Sequence, residues 1–264
     1  MPDTSLPEAN LPQANKLLEA SNVSKAFGNF LAVRGADLAV ERGEIIGLIG
    51  PNGAGKSTFF NCLAGETTPT TGRIVFDGQD LTRASSEGHA RAGIGRTFQV
   101  PITFDDMTVL HNVMVGAFLR HPHRNDARDH ARRMIELTGL RPEQRARALG
   151  TPGRKRLEIA RVLATDPRLL LLDESLAGLT PSELHEAIAL VRRIHQMGVT
   201  IVIVEHIMEV IMTLTERVLV FNQGHVIASG TPQAVIKDEA VIEAYLGRAH
   251  RRPPLAPRPH TGEA

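Results

Sequence analysis

The stretch Gly50-Pro-Asn-Gly-Ala-Gly-Lys-Ser-Thr58, entered from the apolar run Glu44-Ile-Ile-Gly-Leu-Ile49, decides the fold. It fits G-x-x-x-x-G-K-[ST], so a buried strand passes through a glycine-rich loop into a helix. Each residue type has a chemical reason. Gly50, Gly53 and Gly55 let backbone N–H groups turn inward around phosphates, and the helix N-terminus adds its positive dipole. Pro51, Asn52, Ala54 and Thr58 complete the loop and first turn. Lys56 is placed to reach the β- and γ-phosphates, and the Ser57 hydroxyl to ligate Mg²⁺. The helix is expected from Lys56 to about Ala64, stopped by Gly65. A plain glycine-rich turn is the alternative, and the strand before and helix after argue against it.

Such a site needs an acid at the end of a second buried strand. Leu169-Leu-Leu-Leu-Asp173-Glu174 supplies two. Asp173 is placed to hold Mg²⁺, directly or through water, and Glu174 to polarise the attacking water. ATP and Mg²⁺ are the expected ligands; no N-K-x-D motif for reading guanine is present.

Outward from these motifs, strands and helices alternate, which predicts α/β with a largely parallel sheet. Expected strands are Glu44–Ile49, Arg73–Phe76, Leu169–Asp173, Thr200–Glu205 and Arg217–Asn222. Runs such as IVIV and LLLL lack polar alternation, as strands buried on both faces do. A helix is expected over Pro181–Met197, with Thr180 as cap, Glu183 completing a capping box and Gly198 as stop. Residues 107–148 predict helices and no strand. From Arg120 to Arg161 there are 12 Arg and Lys against 5 Asp and Glu, read as solvated helix faces. No aromatics interleave these cations, so nucleic acid is not an expected partner.

With 264 residues, 30 Lys and Arg against 29 Asp and Glu, and one cysteine, the chain predicts a soluble protein of a reducing cytosol, not a disulfide scaffold. No apolar run reaches the ~18–20 residues of a membrane span, and the first residues do not read as a secretory signal. Residues 1–15, with three prolines, and the basic, proline-rich 248–264 read as disordered tails. For the second tail, contact with anionic lipid or nucleic acid is the alternative.

Over about residues 17–247 the chain resembles the nucleotide-binding subunits of ABC transporters. The family's glutamine loop corresponds to Arg96-Thr-Phe-Gln99, which implies that Gln99 senses Mg²⁺ and leads into a helical subdomain. Its switch histidine corresponds to His206, on the γ-phosphate. Its adenine-stacking aromatic corresponds to Phe27 in Ser24-Lys-Ala-Phe-Gly28; by itself, Phe27 reads as core rather than as a ligand contact. The loop Ala177-Gly-Leu-Thr180 carries Thr where many members carry Asp. The resemblance implies a P-loop NTPase core of ABC type over 16–247, a small antiparallel β subdomain, and a helical subdomain inserted at about 100–155.

The stretches RTFQ (96–99), MTVLHN (107–112), LEIAR (157–161), AGLTP (177–181) and VIEAYLG (241–247) are most similar to the branched-chain amino-acid importer ATPases, a type shared with urea, short-amide and aromatic-acid importers. This implies transmembrane permease subunits, a second ATPase subunit (a related chain or a second copy), and, indirectly, a periplasmic solute-binding protein. It also implies a peripheral place at the inner face of the cell membrane. One motif departs. The signature usually written L-S-G-G-Q reads Leu149-Gly150-Thr151-Pro152-Gly153. Gly150, Thr151 and Gly153 are the expected nucleotide contacts, the serine is lost, and Pro152 removes one backbone donor. Thr151 reads as an N-cap with Pro152 at the first helical position. Two other readings remain: a soluble ABC-type ATPase acting on DNA or ribosomes, and a regulatory subunit with weak hydrolysis.

Overall fold

The computed structural model describes residues 15–246. In chain order the elements are β1 (Lys16–Phe27), β2 (Phe30–Glu41), β3 (Ile45–Ile49), α1 (Lys56–Leu63), β4 (Thr71–Phe76), β5 (Gln79–Asp80), α2 (Ser86–Ala92), β6 (Ile94–Arg96), α3 (Val109–Ala117) and α4 (Arg124–Thr138). There follow α5 (Thr151–Leu163), β7 (Leu169–Asp173), α6 (Pro181–Gln196), β8 (Thr200–Val204), α7 (Met208–Leu214), β9 (Arg217–Asn222), β10 (His225–Gly230), α8 (Pro232–Val235) and α9 (Glu239–Leu246).

A six-stranded sheet runs β10-β9-β3-β8-β7-β6, parallel except for the β10 hairpin edge. Every residue of β3, β7 and β8 is buried, which is why these strands read as unbroken apolar runs. The register sets Asp173 beside Val204 at the carboxyl ends of β7 and β8. A second, antiparallel sheet runs β2-β1-β4-β5. Phe59, Phe60 and Leu63 of α1 fill the space between the two sheets, with Phe76 and Phe221 in the same core.

The sequence reading missed the short strands β5 and β6 and the edge strand β10, and it missed β1 and β2. Their register shifts at Lys16/Leu18, Ala20/Val23 and Val23/Lys25 break the period-2 alternation that marks a half-buried strand. Residues 107–148 are helical as expected; their one strand-like feature among the described residues is an isolated bridge, Thr108 to Arg145. The α3–α4 pair rests on α5 through Val113, Ala117, Ala131, Ile135, Leu157 and Ala160, and α5 runs on past residue 155 to Leu163. The capping box of α6 is present: Thr180 N–H donates to Glu183 at 2.8 Å, and the Glu183 amide donates to the Thr180 hydroxyl at 3.4 Å. The expected tail at 248–264 lies outside the described residues, as does 1–14. Asn15 is a correction: its side chain donates to Glu41 at 2.6 Å and its carbonyl accepts from Arg42, so it belongs to the sheet edge.

Candidate nucleotide-binding site

The loop 50–55 leaves β3 at the carboxyl edge of the parallel sheet, the end at which open α/β sheets bind ligands. Two of its glycines are sterically required. At Gly50, φ is +144° and a Cβ would collide with the Phe221 carbonyl; at Gly55, φ is +103° and a Cβ would press on the Ala32 carbonyl of β2. At these two positions the chain can therefore pass β9 and β2 only without a side chain. Lys56 opens α1 with its ammonium folded back into the loop, donating to the carbonyls of Gly50 at 2.7 Å and Pro51 at 3.0 Å. Burial lowers its pKa, partly offset by the negative charges of Glu174 and Asp173. The lysine and both acids thus share one electrostatic environment, although β8 separates their strands.

Asp173 ends β7, buried, with its Oδ2 accepting from Arg96 Nη2 at 2.9 Å. Burial pushes its carboxyl up against the pull of Arg96. Glu174 follows in a left-handed backbone conformation, φ +43°, fixed by its amide donating to the Val204 carbonyl at 2.9 Å. A non-glycine residue held there costs about 1–3 kcal/mol, and such strain collects at functional sites. Gln99 Nε2 donates to Glu174 Oε2 at 2.8 Å. Thr97 and Ser175 bond hydroxyl to hydroxyl at 2.6 Å beneath them, tying β6 to β7. Ser57, Gln99 and Asp173 offer a hydroxyl, an amide oxygen and a carboxylate, a hard-oxygen set of the kind Mg²⁺ takes. The Gln99 contact with Glu174 uses its nitrogen and leaves its oxygen for that set.

His206 lies exposed two residues beyond Val204, which puts it beside the strand end carrying Glu174. Sequence reasoning counted Glu205 only as the end of a strand. The strand stops at Val204, and Glu205, buried, accepts from the Leu176 amide at 2.9 Å, fixing the turn after Glu174. Burial raises its pKa. Arg96 was likewise not singled out beyond its place in the RTFQ motif. An acid directly after an all-apolar strand, and a cation three residues before Gln99, were the available signals. Phe27 is not core: it stands 53% exposed at the β1–β2 hairpin, with Lys25 Nζ 5.1 Å from the centre of its ring.

The signature segment needs a correction. Gly150, not Thr151, is the N-cap of α5, and Pro152 falls one position later than expected. The Arg154 amide donates to the Gly150 carbonyl at 2.9 Å, so it has no bond to give a Thr151 hydroxyl cap. Pro152 and Lys155 adjoin Ser175, Leu176 and Leu179, and Lys155 Nζ donates to the Ala177 carbonyl at 2.6 Å. Gly150, Thr151 and Gly153 thus stand at the head of a helix packed on the loop after Glu174, and share no hydrogen bond with the Gly50–Thr58 loop among the described residues.

Glu158 on α5 is buried beneath the glutamine loop. Burial pushes its carboxyl up to about 7, opposed by the amides of Phe98 and Ile102 and by Arg161. Since the folded pKa lies above the ordinary 4.5, the folded state binds the extra proton between those values. Its stabilising share is therefore full below about pH 4.5 and is lost as pH rises through about 7. Asp173 and Glu205 are raised too and act in the same direction, so a comparison isolates Glu158. Urea midpoints of Glu158→Gln against wild type are expected to improve from about pH 5 to about pH 8. A pH-independent difference would show that Glu158 is not buried protonated.

A family model described as ABC transporter matches residues 33–177, and one described as Branched-chain amino acid ATP-binding cassette transporter matches residues 225–251. The chain is 38% identical over 255 residues to the high-affinity branched-chain amino acid transport ATP-binding protein BraF of Pseudomonas aeruginosa, covering 88% of this chain and 98% of that one. It is 40% identical over 253 residues to the corresponding protein LivG of Escherichia coli, covering 88% and 98%. Among solved structures, an ATP-binding cassette of an ABC transporter in its ADP conformation superposes with a TM-score of 0.80 at 29% identity, over 88% of this chain and 99% of that one.

Proposed function

Because the chain belongs to the ATP-binding subunits of ABC transporters, we propose that it powers an importer of branched-chain amino acids by hydrolysing ATP at the site built on Gly50–Thr58, Asp173 and Glu174. The observation that carries this reading is the gathering of Lys56, Asp173, Glu174 and Gln99 around the carboxyl ends of β3 and β7. The loop amides and Lys56 hold the phosphates, and Phe27 stacks on adenine from its exposed hairpin. Ser57, Asp173 and Gln99 hold Mg²⁺, which when bound neutralises phosphate charge. Glu174 accepts a proton from the attacking water as Gln99 orients its carboxylate, and His206 contacts the γ-phosphate.

The family's paired arrangement is head-to-tail, each ATP lying between one subunit's phosphate loop and the other's signature segment. The second subunit is a related chain or another copy of this one. Among the described residues no helix is long and apolar enough to cross a membrane. Attachment at the inner face therefore runs through permease subunits, which a periplasmic solute-binding protein supplies. The docking surface is the segment after Gln99, around Met107–His111. Val100, Ile102, Phe104 and Met107 are exposed there, an apolar strip of the kind a partner covers. Expressed alone, the chain is expected in the soluble fraction; co-expressed with its permease, it is expected with membranes. Met107→Glu is expected to abolish that recovery while ATP affinity holds. Membrane recovery without permease, or strong liposome binding by the isolated chain, would move the attachment to the basic tail.

A further inference from the structure

Away from the nucleotide site, the fold brings His121 and His130, nine residues apart, together with the more distant Asp166. His121 follows α3, His130 sits on α4, and Asp166 lies in the turn between α5 and β7. His121 Nε2 is 3.1 Å from Asp166 Oδ2, and His130 Nε2 is 3.1 Å from Oδ1 of the same carboxylate. One ligating atom from each residue falls within 4.8 Å of the others, and the two imidazole centroids are 4.4 Å apart. His130 is only 5% exposed, yet its Nε2 has no hydrogen-bond partner: the carboxylate is near but not aligned to receive or give a proton. A buried polar nitrogen left this way costs about 1–3 kcal/mol, and exchanging its proton for a metal ion at a shared centre is one way to recover it.

We propose that His121, His130 and Asp166 form a binding site for a zinc-class divalent transition-metal ion. Two imidazoles and a carboxylate are a common donor set for Zn²⁺, which takes nitrogen and oxygen at about 2.0–2.2 Å in tetrahedral geometry. That geometry sets neighbouring ligand atoms roughly 3.3 Å apart; the imidazoles lie 3.1 Å from one or other Asp166 oxygen, and the three ligand atoms, now within 4.8 Å of one another, draw together on binding. Water completes the fourth position. The hard cations Mg²⁺ and Ca²⁺ prefer all-oxygen shells, so the imidazoles select against them.

The surroundings bear on affinity. Arg133 Nη2 lies 3.1 Å from His130 Nδ1 and donates to it. When Nε2 ligates a metal, Nδ1 carries the proton, so the exposed Arg133 side chain must turn outward. The guanidinium also adds a repelling charge, so Arg133 is a brake on binding. The ion would join the α3–α4 pair to the turn at the end of α5, the helix that begins at the signature segment. Such a clip stabilises the seating of the helical region on the sheet, by the mass action of any ligand that binds only the folded chain.

The test uses the full chain without a polyhistidine tag, free of nucleotide, titrated with Co²⁺ read by its visible absorption and displaced by Zn²⁺. One Co²⁺ per chain with tetrahedral-type absorption is expected, together with a raised Tm in excess metal. His121→Ala and Asp166→Asn are expected to weaken binding by ~100-fold or more, at least the upper end of what losing an outer partner costs. Arg133→Gln is expected to tighten it. His185→Ala removes a surface imidazole paired with Glu209 and is expected to change nothing. His121 and Arg133 lie nearer the surface than His130, so the test survives a His130→Ala variant that fails to fold. Absence of a one-to-one Co²⁺ spectrum, or equal affinity in His121→Ala, Asp166→Asn and wild type, overturns the site.

Discussion

Glu174→Gln in the assembled transporter is expected to keep ATP binding and lose turnover by ~10²-fold or more, the range of a lost general base. The substitution exchanges a carboxylate for an isosteric amide and leaves the backbone alone. The left-handed turn at residue 174 is held by its amide on the Val204 carbonyl, and that bond remains in the variant. Gln99 Nε2 presently donates to the carboxylate at 2.8 Å; the variant can still accept there through its amide oxygen, so the loop stays placed. Only the capacity to take a proton from water disappears. Lys56→Ala provides the contrast. It removes the buried ammonium that bridges the Gly50 and Pro51 carbonyls, so the loss is expected in ATP affinity itself. ATP binding and steady-state hydrolysis of both variants, measured in the same reconstituted complex, separate the two. Unchanged hydrolysis in Glu174→Gln would remove it from the chemistry.

The second large effect concerns the segment Gly150-Thr151-Pro152-Gly153 and rests on the head-to-tail pairing proposed above. If the partner is a related ATPase with an ordinary signature, ATP held by Lys56 meets a complete set of donors. ATP held by the partner meets this chain's segment, where the serine hydroxyl is missing and Pro152 has no N–H. The helix itself tolerates proline at this position, because amides in the first turn have no intrahelical acceptor. The deficit therefore falls on the nucleotide. Each hydrogen bond lost to a charged phosphate is worth about 1.5–3 kcal/mol; two amount to ~10²–10⁴-fold at 1.4 kcal/mol per decade. Most turnover is then expected from the site on this chain's own phosphate loop. The measurement is hydrolysis by two complexes, one carrying Glu174→Gln here and one carrying the matching substitution in the partner. Loss of activity with the partner's variant alone would reverse the asymmetry and end the idea.

Much of this protein was legible without coordinates, for a local reason. The phosphate loop is nine consecutive residues, the strands β3, β7 and β8 are unbroken apolar runs, and the α6 capping box spans Thr180 to Glu183. Each such signal fits inside a window of one turn or one strand, where backbone sterics and hydrogen-bond satisfaction act on neighbours. The family, its ATPase activity and its transport role followed from a resemblance carried by equally short motifs, among them RTFQ (96–99) and LEIAR (157–161).

The tertiary structure alone decided the rest. The bulged strands β1 and β2 take their form from pairing, since residues in their irregular register carry no clean alternation. Gln99 meets Glu174 across 75 positions, Arg96 meets Asp173 across 77, and Glu205 reaches Leu176 across 29. The cap of α5 moved to Gly150 because the Arg154 amide found its carbonyl before it found a threonine hydroxyl. Side-chain identity in a short window fixes which backbone shapes are cheap. Which distant groups share a buried volume is fixed by strand register and by the cost of leaving a polar atom there unpaired, and both arise only once the sheet has closed over its core.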